Sequence, residues 1–449
     1  MQNAKRGDGE IRPTLSVFDG LSFLIGIMIG IGIFRTPQLV AANVDSTTMF
    51  IGVWLVGGLI TLLGALCYAE LGAARPHAGG EYHYLSQAYG PSVGLVFAWA
   101  RGTVIQTGAI ATVAFVYGDY AATILPLGPY GTAIHAAIAV AVFTAINLIG
   151  TKQGKWTQHL FTMMDLGAIL IIIVAGFFIA SSGAVPAPSP SGGSMSGAIG
   201  LAMVFVLLTY GGWNEAAYLS AELRDVKRNM ARTLIISVGV VTAIYLLVNL
   251  AYLNVFGLAG LARADAVASD LMRIAAGNTG AAIISLFICC AALSTLNATI
   301  FTGARVYSAL GNDIRSLKSL GIWQPRGAHP ANALLLQGII ALALILLGAL
   351  TRDGFKAMVE YTAPVFWFFM LMVGLSLFVF RWRYPDTPLP YRVPLYPLTP
   401  ALFCATCVFM LYSSLAYTGV GALVGLAVLL AGTPLLFLDR VKVQTTPAE

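Results

Sequence analysis

Hydrophobic runs of bilayer length dominate this sequence and leave it few possible folds. A helix needs about 20 mostly apolar residues to cross the hydrocarbon core. Twelve segments meet that length: residues 15–40, 47–73, 90–121, 131–150, 157–181, 196–223, 232–257, 280–308, 332–350, 356–380, 399–417 and 420–437. Of the 449 residues, 58% are hydrophobic and 10% are charged, against roughly 25% charged in soluble domains. A water-soluble fold cannot hide that much apolar surface, and a bilayer can. Hydrocarbon offers the backbone no partner, so each span satisfies its own N–H and C=O groups as a helix. The expectation is an all-α integral membrane protein with twelve transmembrane helices.

Loop charges give the orientation. With the N-terminus placed inside, the inner segments hold 19 Lys and Arg and the outer ones hold 4. Both termini are therefore expected in the cytoplasm, with the chain in a bacterial cytoplasmic (inner) membrane. The expected division is an N-terminal tail 1–14, a first block of five spans 15–181 and an outer Ser/Pro/Gly-rich loop 182–195. A second block of five spans 196–380, a cytoplasmic loop 381–398, spans 11 and 12 over 399–437 and a tail 438–449 follow. A short amphipathic piece near 258–276 is expected to lie across the outer surface.

Several function classes are excluded. The net charge of +6 sits in short loops between apolar runs, so it is no nucleic-acid signature. All five cysteines (Cys67, Cys289, Cys290, Cys404, Cys407) fall within apolar runs and read as small core residues. No histidine has metal-ligand spacing, and no metal site is expected. The sequence holds no P-loop, dinucleotide fingerprint or nucleophile–base motif, which argues against an enzyme or an ATP-driven pump. No cofactor is expected.

The most informative feature is a pair of glycine breaks. Span 1 contains Gly26-Ile27-Met28-Ile29-Gly30-Ile31-Gly32-Ile33-Phe34, and span 6 contains Leu208-Thr209-Tyr210-Gly211-Gly212-Trp213-Asn214. Each lies near the middle of its helix, and each helix opens a block of five. Corresponding breaks in two halves point to inverted repeats with a binding site between them. A broken helix leaves N–H groups on one half and C=O groups on the other without partners. The N–H end attracts a carboxylate, and the carbonyl end attracts an ammonium. A zwitterionic amino acid satisfies both.

At these residues the sequence resembles the amino acid–polyamine–organocation (APC) superfamily, and within it the bacterial L-type amino acid transporter branch. Further matching stretches are Tyr68-Ala69-Glu70-Leu71, Gly79-Gly80-Glu81-Tyr82, Tyr89-Gly90-Pro91, Glu222-Leu223, Leu293-Ser294-Thr295-Leu296-Asn297-Ala298 and Pro390-Tyr391-Arg392-Val393-Pro394. The resemblance implies a leucine-transporter-like fold of five plus five inverted spans, two additional C-terminal helices, and alternating access. It implies that the substrate carboxylate meets N–H groups around Gly30, Ile31 and Gly32. The amine would meet carbonyls around Met28 and Leu208. Gly211 would floor the side-chain pocket, with Trp213 and Asn214 behind it, and Tyr210 also lies in the break.

Three departures from the family stand out. Ile31 replaces a small hydroxyl residue, Leu208 replaces an aromatic gate, and Asp165 stands where many relatives carry a Lys thought to occupy a cation site. A charge inside a span is costly and marks a functional candidate. Asp165 could carry a proton, bind sodium with Ser294 and Thr295, pair with Arg101, or meet a basic substrate. Arg35, just beyond the first break, is expected to pair with an acid at an outer gate. Glu70 and Glu222 are expected to pair with loop arginines such as Arg75 and Arg228 at an inner gate.

The expected function is secondary active transport of small amino acids, with neutral L-amino acids foremost, by cation-coupled symport or exchange. H+ or Na+ would be the coupling ion. A polyamine or basic or acidic amino acid carrier on the same fold is the alternative. The expected partners are an amino acid substrate and membrane lipid, with no nucleic acid and no obligatory accessory subunit.

Overall fold

A computed structural model of the chain describes residues 15–77, 79–149, 155–179, 195–220, 223–313, 315–322, 330–351, 353–416 and 420–434. The first span is α1 (Val17–Met28), a 3-10 turn (Ile31–Phe34) and α2 (Thr36–Ala41). Ser16 starts it with a capping box, its hydroxyl accepting from the Asp19 N–H while the Asp19 carboxylate takes the Ser16 N–H. That arrangement satisfies two donors that a helix start leaves open.

The second span is α3 (Thr47–Ala74). A short helix, α4 (Gly80–Tyr89), follows and crosses nothing. The third span is α5 (Pro91–Ala100), a π-helical stretch (Arg101–Gln106) and α6 (Thr107–Ile124). Next come α7 (Gly131–Ile149) and α8 (Lys155–Val174). The sixth span is broken into α9 (Met195–Thr209), a 3-10 turn (Trp213–Glu215) and α10 (Ala216–Leu219). The rest are α11 (Val226–Leu261), α12 (Val267–Asp313), α13 (Ala331–Leu350), α14 (Gly354–Arg383), α15 (Leu398–Ala416) and α16 (Val420–Ala431).

The helices make a twelve-span, five-plus-five membrane fold with α15 and α16 added at the end. Nine helical stretches among the described residues are long and apolar enough to cross a membrane, and three shorter apolar ones (Met163–Ile179, Ile199–Thr209 and Gly421–Ala431) account for the others. The boundaries differ from expectation at breaks. Non-helical backbone at Gly257 and at Ala276–Gly277 sets the segment between them off from the long helices on either side. That segment is the amphipathic piece expected near 258–276, and a turn over residues 262–266 divides it. α3 packs along α11, α6 lies between α7 and α12, and α14 carries α15 and α16 on its flank. The core is mostly apolar, with Leu24, Trp54, Val116, Tyr245 and Ile288 fully buried.

Candidate functional site

The two broken helices face each other. α1 stops at Met28, and Gly30 turns the chain into the 3-10 segment with extended backbone (φ −93°, ψ −175°). α9 stops at Thr209, and the chain reverses through Gly212 at φ 98°. Only glycine adopts that left-handed torsion without strain. A Cβ at Gly212 would also meet Ile27 of the other break at 2.5 Å. The second contact between breaks is at Gly32, where a Cβ would sit 3.2–3.4 Å from Thr209. Thr209 and Thr36 share a hydroxyl–hydroxyl hydrogen bond of 2.6 Å across the same seam.

Each break exposes backbone groups of one sign. Gly30, Ile31 and Gly32 stand at the start of the 3-10 turn, where N–H groups have no intrahelical acceptor. None of these N–H groups finds another acceptor among the described residues. The carbonyl ends are different. Tyr245 of α11 donates its hydroxyl to Met28 O at 2.5 Å and to Thr209 O at 3.0 Å. Leu208 O, expected to face the substrate amine, accepts from the Gly211 N–H at 3.0 Å. Tyr245 was not singled out in the sequence. A tyrosine mid-span among apolar residues gives no local signal that its hydroxyl crosses to two other helices.

A cavity of about 580 Å³ opens between the breaks and the faces of the third, eighth and tenth spans. Its wall includes Met28, Gly30, Ile31, Gly32, Leu208, Gly211, Asn214 and Thr295 of the expected site residues. Tyr210, Trp213 and Ser294 are not on that wall. Tyr210 turns away to stack near Trp54 and Tyr245, with ring centroids at 6.2 and 5.1 Å. Trp213 packs against Tyr68 and Phe403 at 4.9 and 6.1 Å. Ser294 is buried.

Charge clusters lie toward both ends. Toward one end, Arg35 Nε lies 2.9 Å from Asp119 and its Nη2 lies 3.7 Å from Asp353. The Tyr120 hydroxyl ties Phe34 O at 2.7 Å beside it. At the other end, Arg101 bridges two carboxylates, Glu81 at 3.0 Å and Glu215 at 2.8 Å. Glu81 also accepts from Tyr68 (2.6 Å), Asn214 (3.1 Å) and Tyr218 (3.1 Å). Burial pushes the Glu81 carboxyl up and Glu215 adds to the rise, while Arg101, Tyr68 and Asn214 pull it down, with the net direction upward. Four groups that can donate surround it: N–H groups of Arg101 and Asn214, and the hydroxyls of Tyr68 and Tyr218. These donors come from α3, the π-helical stretch, the 3-10 turn of span 6 and α10, so one residue of α4 gathers four elements.

Two expected pairings do not form. Glu70 does not pair with Arg75: it is held by Arg381 through two hydrogen bonds of 2.8 and 2.6 Å and by the Val393 N–H at 2.6 Å. Arg75 instead stacks over Phe380 and Tyr384, 4.0 and 5.0 Å from the ring centroids. Asp165 does not pair with Arg101, whose terminal nitrogens are occupied by Glu81 and Glu215. Asp165 is buried in α8, and no ion pair or hydrogen bond to it is made among the described residues. Glu222 lies outside the described residues.

Glu81 stands in the Gly79-Gly80-Glu81-Tyr82 motif, and nothing local marks Glu215 or Asp119. Each is a single acid, for which a solvated or capping role is the usual one. Only packing reveals that they face arginines from other spans.

Comparison with known proteins decides the class. The model of the family described as "Amino acid permease" matches residues 15–431. The chain belongs to the amino acid permease family. This permease is similar to the human "b(0,+)-type amino acid transporter 1", 31% identical over 410 residues that cover 89% of this chain and 82% of that one. It is also similar to the mouse "Large neutral amino acids transporter small subunit 2", 28% identical over 444 residues covering 96% and 82%. The permease is thus an amino acid transporter of the APC superfamily and a multi-pass membrane protein, not an enzyme. The second relative's name corrects one expectation. It is the small subunit of a transporter, so a chain matching this one almost end to end works as part of an assembly, against the expectation of no obligatory accessory subunit.

Proposed function

We propose that the permease carries small amino acids, neutral L-amino acids foremost, by alternating access, with the substrate held between the two breaks. The observation that carries this reading is the facing of open N–H groups at Gly30, Ile31 and Gly32 with the carbonyls of Met28 and Thr209. A carboxylate fits the first set and an ammonium the second. Ile31 supplies no hydroxyl, so the carboxylate would be bound by backbone alone. The walls beyond are mostly apolar, which favours uncharged side chains.

The Arg35–Asp119 pair closes one end of the path. The lining residue Phe23 is 43% exposed and belongs to the end with Lys- and Arg-rich loops. This supports an inward-facing state, with both termini in the cytoplasm as in a bacterial inner-membrane protein. Coupling to H+ or Na+ through Asp165, with Ser294 and Thr295 of the α12 helix that packs on α8, is part of the proposal. The relative named as a small subunit extends the proposal to a second chain, and the mass of the complex purified from native membranes reads whether one is present.

Thermal unfolding of the purified permease against amino acids, diamines and organic acids, with and without sodium and at two pH values, tests the reading. Ligands that bind the folded state raise its stability with the logarithm of saturation. Stabilisation by neutral amino acids is expected. Stabilisation by diamines alone would replace this reading with polyamine transport.

A further inference from the structure

Three charged side chains line the cavity among the described residues: Glu81, Arg101 and Glu215. They are two carboxyl groups and one guanidinium, so with all three ionised one negative charge remains after Arg101 has paired with both. Its place follows from the hydrogen bonds. On Glu81, Oε1 accepts from Tyr68 and Asn214, and Oε2 accepts from Arg101 and Tyr218. That side chain is 4% exposed and has no capacity left. Glu215 makes one contact, from Arg101 Nη2 to its Oε1 at 2.8 Å. Its side chain is 33% exposed, and its Oε2 has no partner among the described residues. Arg101 gives one N–H from each terminal nitrogen to these carboxylates, and its Nε is buried away from the cavity.

The surplus charge therefore belongs to a carboxylate oxygen open to the cavity. Glu215 closes the 3-10 turn that begins at Trp213, directly beyond the Gly211–Gly212 break. It shares the wall with the backbone groups proposed to hold the substrate's zwitterionic head. Charges in a narrow cavity with apolar walls interact more strongly than at an open surface.

We infer that Glu215 sets the charge selectivity of the transport site: it disfavours substrates whose side chain ends in a carboxylate and tolerates a cationic end. This rests on the amino acid site proposed above and sharpens its substrate class. Arg101 positions the carboxylate, and Glu81 anchors Arg101 from the far side.

Two pairs of amino acids that match in size and differ in charge provide the test: lysine with norleucine, and glutamate with glutamine. Their dissociation constants are measured on the purified permease. Glutamate is expected to bind at least about tenfold more weakly than glutamine, and lysine no more weakly than norleucine. Glu215→Gln is expected to bring the glutamate-to-glutamine ratio toward one and to weaken lysine relative to norleucine, and Glu215→Asp, which keeps the charge, to preserve the wild-type pattern. Equal binding of glutamate and glutamine by the wild type, lysine binding more weakly than norleucine, or ratios unmoved by Glu215→Gln, would overturn the inference while leaving amino acid transport intact. Should norleucine and glutamine also fail to bind, the site between the breaks falls, and the inference with it. The wild-type ratios and Glu215→Asp decide the matter even if Glu215→Gln does not fold.

Discussion

The Tyr245 hydroxyl donates to the Met28 carbonyl oxygen at 2.5 Å, so a neighbouring span caps the carbonyl end of the first broken helix. The same hydroxyl lies 3.0 Å from Thr209 O at the end of the second. It has one proton for two acceptors, which leaves one carbonyl free to receive a substrate ammonium at any moment.

Replacing Tyr245 with Phe removes this tie and little else. A net hydrogen bond contributes about 1 kcal/mol. Tyr245→Phe is expected to lower thermal stability modestly and to weaken substrate binding by about fivefold, a loss of that size. Isothermal titration with the best neutral substrate checks it, and undiminished affinity would remove Tyr245 from the site.

Gly212→Ala combines a left-handed torsion with a Cβ placed 2.5 Å from the Ile27 side chain. The torsion alone costs a residue with a Cβ about 1–2 kcal/mol. The variant is expected to unfold several degrees below the wild type and to bind substrate poorly, because the clash pushes the two breaks apart. Gly32→Val crowds Thr209 instead and is expected to abolish binding while leaving the fold. Normal affinity in Gly32→Val would argue against the carboxylate position.

Asp165→Asn keeps the size of the side chain and removes its charge. If Asp165 is the coupling group, uptake into proteoliposomes by the variant is expected to become indifferent to the driving ion gradient while exchange of internal for external substrate persists. Uptake that still follows the pH or sodium gradient would assign coupling elsewhere.

His77 and His83 stack at 4.0 Å between centroids with their planes 8° apart, next to the start of α4. Burial lowers the pKa of both, and the neighbouring His77 and Arg75 add to this for His83, bringing it down to about 4. The folded state therefore prefers neutral rings, while the unfolded chain takes up protons near pH 6.5. Stability from this pair is complete above that pH and is expected to fall as pH drops from 6.5 toward 4. Unfolding temperatures over that range, compared with His83→Gln, check the sign: the variant's decline should be shallower.

The spans and the breaks were legible in the sequence because their causes are local. Twenty apolar residues specify a helix in hydrocarbon whatever surrounds them, and glycines at 30, 32, 211 and 212 interrupt a helix by their own torsional freedom. The open N–H groups at Gly30, Ile31 and Gly32 are legible for the same reason, since they are backbone at the break itself. The bonds on the carbonyls are not: the Tyr245 hydroxyl reaches Met28 O and Thr209 O from another span, and the Gly211 turn closes back on Leu208 O.

What the tertiary structure alone decided is which charges meet. Arg101 and Asp165 are both lone charges in apolar spans and look equivalent in one dimension. Packing puts Arg101 between Glu81 and Glu215 and leaves Asp165 without a described partner. Glu70 likewise takes Arg381, 311 residues away, over the nearby Arg75. A buried ion pair is set by desolvation: a charge removed from water must find its counter-charge within a few ångströms, wherever along the chain that counter-charge lies. Sequence spacing carries helix periodicity and glycine breaks, but not the contacts between spans, and the charge pairing of this permease is made of those contacts.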